Sequence, residues 1–332
     1  MLLSFVLYTT SFESKSLDFF LTKIFVNKKS NFEVIVVDDG INNENLEVLS
    51  KYFKLYPQNL KIITNYQVTG IAISRNLGLK YTAGTHVVIL NPTEIPSPDF
   101  VEKVTKILHN NKELDCIEYC VRYEFDKNNV FQSAIRTEAN NLYNLNTTQG
   151  KVVFALTTPV LTTKIMKVSI INEYNLQFRK EIQFDSLFLY SFLAHCKTYY
   201  AINETLIKSK SNTLENDNIF ELMHQWIHIL NYYNNYKIRK VLYEELEYAF
   251  VRYYLYTLLR FISISKKPAL IEKTYNRVKE IIEFKFKNFK RNSYFNTINP
   301  NDKFTTYALD LSAYFKKYFK DNNIKDDSKY WE

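Results

Sequence analysis

A chain of 332 residues, 46% hydrophobic and 23% charged, is long enough for two domains and too apolar to remain disordered. No stretch reaches the roughly 18 uninterrupted apolar residues that a spanning helix needs, since even Ala249 to Ser263 carries Arg252 and Arg260, and the chain is not expected to cross a membrane by itself. The net charge of +8 favours a polyanionic partner and leaves nucleic acid, anionic lipid and a nucleotide diphosphate open.

In chain order, Ser4 to Tyr8 is a short apolar run, and the segment from Leu2 lacks the basic leader and cleavage site of a signal peptide, so it reads as a first strand. Leu17 to Val26 has helical spacing, and Glu33 to Val37 is an apolar run closed by Asp38, Asp39 and Gly40. A helix around Leu46 to Leu55, a strand at Leu60 to Thr64, a helix around Ile73 to Tyr81 and a strand at His86 to Leu90 follow. Alternation of this kind, with strands that are apolar throughout, predicts an α/β domain whose mostly parallel sheet is covered by helices on both faces. Ligands of such sheets bind at the carboxyl ends of the strands, after Tyr8, Val37, Thr64 and Leu90 here. The Asn-rich stretch from Asn140 to Asn146 reads as a loop. From about Asn212 the pattern becomes long helical periodicity rich in Tyr, Phe, Lys and Arg, with Pro268 breaking one run, so the domains are placed at 1–211 and 212–332.

Cys116, Cys120 and Cys196 form no paired framework and no CxxC, which points to reduced thiols in a cytoplasmic protein. His224 and His228 stand one helical turn apart, but without the HExxH pattern and beside Trp226 and Ile227 they read as a helix face rather than a zinc site. The abundance of Tyr and Phe against few Gly and Pro is the composition that AT-rich bacterial genomes encode. Rings interleaved with Lys and Arg between Tyr232 and Phe295 suit a membrane surface or nucleic acid, although the 3.6-residue period assigns most of those rings to core. No compact recognition motif supports nucleic acid, which is not expected as a partner.

Taken alone, two carboxylates and a glycine at the end of a strand are more often a solvated turn than a site. Their order relative to other segments changes that weighting. LSFVLYTTS (Leu3 to Ser11), FEVIVVDDGINNEN (Phe32 to Asn45) and GIAISRNLGLKYTAGTHVVILNPTEIPSPDF (Gly70 to Phe100) together resemble the family 2 glycosyltransferases of the GT-A fold, over about residues 2–210. The Arg75-Asn76-x-Gly78 portion is the specific part, and FKFKNFKRNSYF (Phe284 to Phe295) resembles a C-terminal motif of surface-polysaccharide members.

The resemblance implies a GT-A domain with a helical C-terminal region that moves a sugar, with inversion, from a nucleotide-sugar donor to a cell-surface glycan or glycolipid acceptor. It implies work at the cytoplasmic membrane face, with peripheral contact to anionic lipid. It places Asp39 on the uracil, with Thr9 and Asp38 in the same pocket, Arg75 facing the diphosphate, and Asp185 as the catalytic base. A helix-terminal carboxylate interacting with the helix dipole is the equally weighted alternative for Asp185. Lys164 falls at the family's acceptor-side basic position.

The family's Asp-x-Asp, which holds Mg²⁺ or Mn²⁺, is replaced by Asn91-Pro92-Thr93-Glu94, so only Glu94 keeps a carboxylate, one position further on. Phe184 stands where the family has a Glu before the base. These departures support a second reading, a degenerate glycosyltransferase-like binding or scaffold subunit.

Overall fold

A computed structural model describes residues 1–10, 13–26, 31–40, 43–124, 130–131, 141–180, 185–210, 219–258, 268–297, 308 and 313. Phe184, Asn140, Ser211 and the 259–263 part of the apolar stretch lie outside the described residues. The chain forms two compact units, one of Met1–Val153 with Thr157–Ser211 and one of Phe154–Leu156 with Asn212–Glu332.

The first unit is built on β1 (Leu3–Thr9), β2 (Phe32–Asp38), β3 (Leu60–Thr64), β4 (His86–Leu90), β5 (Glu94–Pro96), β6 (Cys116–Tyr123), β7 (Val130–Phe131), β8 (Asn141–Asn144), β9 (Lys164–Lys167) and β10 (Thr198–Ser209). The sheet runs β3-β2-β1-β4-β9-β6-β10-β5, with β7 on β6 and β8 on β10. β1, β2 and β4 are buried along almost their whole length because both faces of the sheet are covered, as their continuous apolar runs require. Strands β1 to β4 are mutually parallel, with Thr9 opposite Asp38 and Asp38 opposite Thr64. Their four carboxyl ends therefore open at one edge.

Beyond β4 the sheet is mixed rather than mostly parallel. β9 runs antiparallel to β4 and β6, β5 antiparallel to β10, and β10 parallel to β6. The stretch read as a loop at Asn140 to Asn146 holds an edge strand instead, β8, whose Tyr143 pairs with Tyr199. Strand propensity is low for Asn, and pairing with a formed neighbour overrides it.

Helices α1 (Ser14–Ile24), α2 (Asn43–Leu55), α3 (Ile71–Lys80), α4 (Phe100–Asn110), α5 (Val152–Leu156), α6 (Val168–Glu173) and α7 (Ser186–Leu193) complete the α/β order. α1 buries Leu17, Phe20, Leu21 and Ile24, the i, i+3, i+4, i+7 stripe of an amphipathic helix. Phe5 of β1 gathers the rings of Phe20, Phe32 and Phe100 around it, and each such buried side chain stabilises the fold by about 1.5–3 kcal/mol.

α3 lies so close to β1 that a Cβ on Gly78 would meet Val6 Cγ1 at 2.4 Å. That is the physical reason for glycine in Arg75-Asn76-x-Gly78: the helix carrying Arg75 can approach the sheet only where no side chain intervenes. Gly70, at φ +90°, makes the turn into this helix.

The second unit contains α8 (Ile219–Asn235), α9 (Tyr243–Arg252), a π-helical turn at Tyr253–Leu258, and helices at Pro268–Lys285 and Tyr294–Thr297. Pro268 is the first residue of its helix, as suits a residue with no N–H to donate and a preset φ. Trp226, Phe250, Tyr254 and Phe286 form an interlocked ring core, while Phe284 is 81% exposed. All three cysteines are free and buried. Among the described residues no helix is long and apolar enough to cross a membrane.

Candidate active site at the carboxyl edge of the sheet

The sheet register brings Thr9, Asp38 and Asp39 together. Asp39 N–H donates to Thr9 O at 2.9 Å, and Asn45 Nδ2 donates to Asp38 Oδ1 at 3.0 Å and to Thr10 O at 2.8 Å. Burial raises the pKa of Asp38, and the neighbouring Asp39 and Glu13 charges push the same way, only partly offset by the Asn45 amide and the Gly40 N–H.

Asp39 is set differently. It accepts from Asn65 Nδ2 at 2.7 Å, from Thr69 N and Thr69 Oγ1 at 2.8 Å, and from Gly70 N at 2.7 Å. Burial alone would raise its pKa, but these donors outweigh burial and hold it below the usual carboxylate range. The residue expected to face the base thus anchors the turn into α3 with both carboxylate oxygens.

Tyr8, which the sequence did not single out, projects from the end of β1 within electrostatic reach of Asp39, Glu13 and Arg75. Burial and the two acids push its phenol up to about 12.

α3 delivers Arg75 and Asn76 to a second cluster. Asn76 clamps the backbone of Phe178 from both sides, donating to Phe178 O at 2.8 Å and accepting from Phe178 N at 2.8 Å. The Phe178 ring stacks on Phe188 of α7 at 4.1 Å and lies 5.3 Å from the Arg75 guanidinium carbon. Arg75 Nη1 donates to Asp185 Oδ1, an ion pair whose side chains are 6% and 23% exposed.

Asp185 immediately precedes α7 but makes no side-chain capping bond to it. Its carboxylate is committed to Arg75 rather than to its own helix. Burial raises its pKa and the Arg75 charge only partly restrains the rise. Ser186, next in the chain, donates from Oγ to Pro159 O at 3.2 Å.

The expected metal position reads differently in three dimensions. Asn91 and Thr93 are half-buried after β4, whereas Glu94 is buried and points inward. Its Oε2 accepts from Asn91 N–H at 2.7 Å and its Oε1 from Thr162 Oγ1 at 2.6 Å. Burial pushes its pKa up to about 7. A hard divalent cation needs several charged oxygens in one cavity, and this segment offers an amide, a hydroxyl and one inward carboxyl that its loop already occupies. The residues do not fit such an ion. Among the described residues no three His, Cys, Asp or Glu side chains converge as a ligand set.

Lys164, expected on the acceptor side, is in the interior at 0% exposure. Its Nζ pairs with Glu118 Oε1 at 2.8 Å and donates to Thr158 O at 2.7 Å and Thr163 Oγ1 at 2.6 Å. Glu118 also accepts from Thr158 N–H at 2.8 Å and Tyr199 OH at 2.6 Å. The charges of this pair face one another and their surroundings, with nothing presented to a ligand.

Residues 6–174 match the family model described as "Glycosyl transferase family 2". The chain belongs to that family. It is 26% identical over 131 residues to the "Uncharacterized glycosyltransferase MJ1057" of Methanocaldococcus jannaschii, covering 40% of this chain and 45% of that protein. It is 27% identical over 110 residues to the "Minor teichoic acid biosynthesis protein GgaB" of Bacillus subtilis, covering 31% of this chain and 12% of that one. The matches span less than half the length of these curated relatives. Among solved structures, the fragment 1–349 of S. aureus TarS superposes with a TM-score of 0.64 at 17% identity, covering 97% of this chain and 92% of that chain, which shows the shared GT-A fold. The same fragment is also described in complex with UDP and with UDP-GlcNAc.

Proposed function

We propose that this family 2 protein is an inverting glycosyltransferase. In this reading it moves a sugar from a UDP-linked donor to a cell-surface glycan or glycolipid at the cytoplasmic face of the membrane. The observation that carries the reading is Asp185, a carboxylate free of any helix-capping duty and paired to a buried guanidinium on the helix of the family's Arg-Asn motif.

The acceptor hydroxyl oxygen attacks the anomeric carbon from the side opposite the diphosphate, and its proton passes to Asp185. The bond from the anomeric carbon to the phosphate oxygen breaks, and its electron pair leaves with the nucleoside diphosphate. The raised pKa of Asp185 suits a group that must retain the proton. Thr9, Asp38 and Asp39 form the wall for base and ribose, Asp39 by fixing the Thr69–Gly70 backbone.

The donor class is supported by the UDP and UDP-GlcNAc complexes of the TarS fragment, and the acceptor class by the similarity to GgaB, a minor teichoic acid biosynthesis protein. The net charge of +8 supports peripheral contact with anionic lipid. A second reading, a binding or scaffold subunit without turnover, is favoured by the inward Glu94 and by Asn91 and Thr93 in place of acids.

A screen of nucleotide sugars for donor hydrolysis and for transfer to lipid-linked glycans separates the two. Turnover with any donor supports the enzyme, and UDP binding without turnover supports the subunit.

A further inference from the structure

The inward turn of Glu94 leaves open what neutralises the diphosphate that departs during transfer. The developing charge on that group needs a preorganised positive partner. Asn91 and Thr93 carry no charge, and both oxygens of Glu94 accept hydrogen bonds within the fold.

One cation is built into the same cluster. Arg75, on α3, is 5% exposed, with the Phe178 ring 5.3 Å from its guanidinium carbon and Nη1 on Asp185. Its Nε–H is buried and has no acceptor among the described residues. Buried donors are satisfied in nearly all folded proteins, so an orphan beside Asp185 calls for an acceptor from water, an ion or a ligand. In a guanidinium, Nε and Nη2 form one straight edge that matches two oxygens of a phosphate, while Nη1 lies on the other side. With Nη1 held by Asp185, the Nε edge is the one left for an anion.

We propose that Arg75 supplies the positive charge to the donor's diphosphate in place of a divalent cation, and that donor binding is independent of metal. The inference rests on the donor-site reading above. One guanidinium then touches both the leaving phosphate and the base: it neutralises the diphosphate on its Nε edge and holds Asp185 on Nη1. This arrangement also accounts for a side chain as costly to bury as arginine standing where it is screened from solvent.

The test is calorimetric titration of the full chain with UDP, uridine and inorganic pyrophosphate, each in EDTA and in Mn²⁺. The wild type is expected to bind UDP with affinities within about twofold of one another in the two conditions, and Arg75→Gln to lose roughly 10- to 100-fold in UDP affinity with uridine unchanged. Arg75→Lys keeps the charge but not the edge, and should recover only part of the loss; thermal melts of both variants show whether they fold. The double variant Asn91→Asp with Thr93→Asp should acquire a Mn²⁺ response.

UDP binding by the wild type that collapses in EDTA would overturn the proposal while leaving the donor reading intact. A folded Arg75→Gln that binds UDP like the wild type would overturn it as well, and binding of pyrophosphate equal to UDP would mean a general anion site. Absence of both UDP and uridine binding in either condition would remove the donor reading and the proposal with it.

Discussion

The ion pairs Lys164–Glu118 and Arg75–Asp185, both in the first unit, are built to different ends. Lys164 and Glu118 sit at 0% and 1% side-chain exposure, and Lys164 Nζ has three partners while Glu118 accepts from three donors. Arg75 and Asp185 share one bond, the acid is 23% exposed, and the guanidinium keeps a buried N–H without an acceptor among the described residues. A completed network ties strands together and has nothing left for a ligand. An incomplete one is less favourable in the empty fold and gains when a substrate fills it. The comparison separates a structural lysine from the arginine proposed to meet the donor on grounds that charge alone does not supply.

The sharpest way to break this contrast is to remove one member of the completed pair. Lys164→Met leaves Glu118 buried without its counter-charge and should cost about 3–5 kcal/mol of unfolding free energy in urea titration. Asp185→Asn should cost only about 1–2 kcal/mol in the same experiment, because Asp185 is itself 23% exposed and the amide oxygen can still accept from Arg75. Equal losses would erase the distinction.

Glu94 offers a second handle through pH. Its folded pKa of about 7 lies above the ordinary glutamate value of 4.5, so the folded state binds more protons between those values. The stability that Glu94 contributes is complete below about pH 4.5 and is lost as pH rises through about 7, on the order of 3 kcal/mol over the interval. Glu94→Gln should flatten this part of the stability profile relative to wild type, and superimposable pH profiles would place the carboxyl in a wetter setting than the structure shows.

The smallest expected effect concerns the basic surface. Binding to anionic vesicles should exceed binding to neutral ones by about 1 kcal/mol for each Lys or Arg engaged and should fall with added salt. Equal co-sedimentation on both vesicle types would refute an electrostatic attachment.

How much of this was legible in the sequence follows from what each signal measures. β1, β2 and β4 were readable because strands buried on both faces carry long apolar runs, and the Arg75-Asn76-x-Gly78 segment because Gly78 answers a steric demand of Val6. β5, β8 and β9 span three or four residues, too few for a period, and their antiparallel direction depends on partners far along the chain. Lys164 matched a motif position, yet its orientation is decided by Glu118, 46 residues away on another strand. Asn76 stood in plain view within the motif, but its clamp on Phe178 spans 102 residues and leaves no local trace. Glu94 kept a carboxylate in the expected segment, and only Thr162 and the Asn91 N–H reveal that it faces inward.

The central claim is that Asp185 takes the acceptor's proton while Arg75 holds it in place. Sugar transfer from a nucleotide-sugar donor, compared between wild type and Asp185→Asn at equal folded concentration, tests it most directly. The amide keeps the size of the carboxylate and cannot accept the proton, so turnover should fall by about 10²- to 10⁴-fold while UDP affinity stays near that of wild type. An Asp185→Asn variant that transfers sugar as fast as wild type would contradict the account.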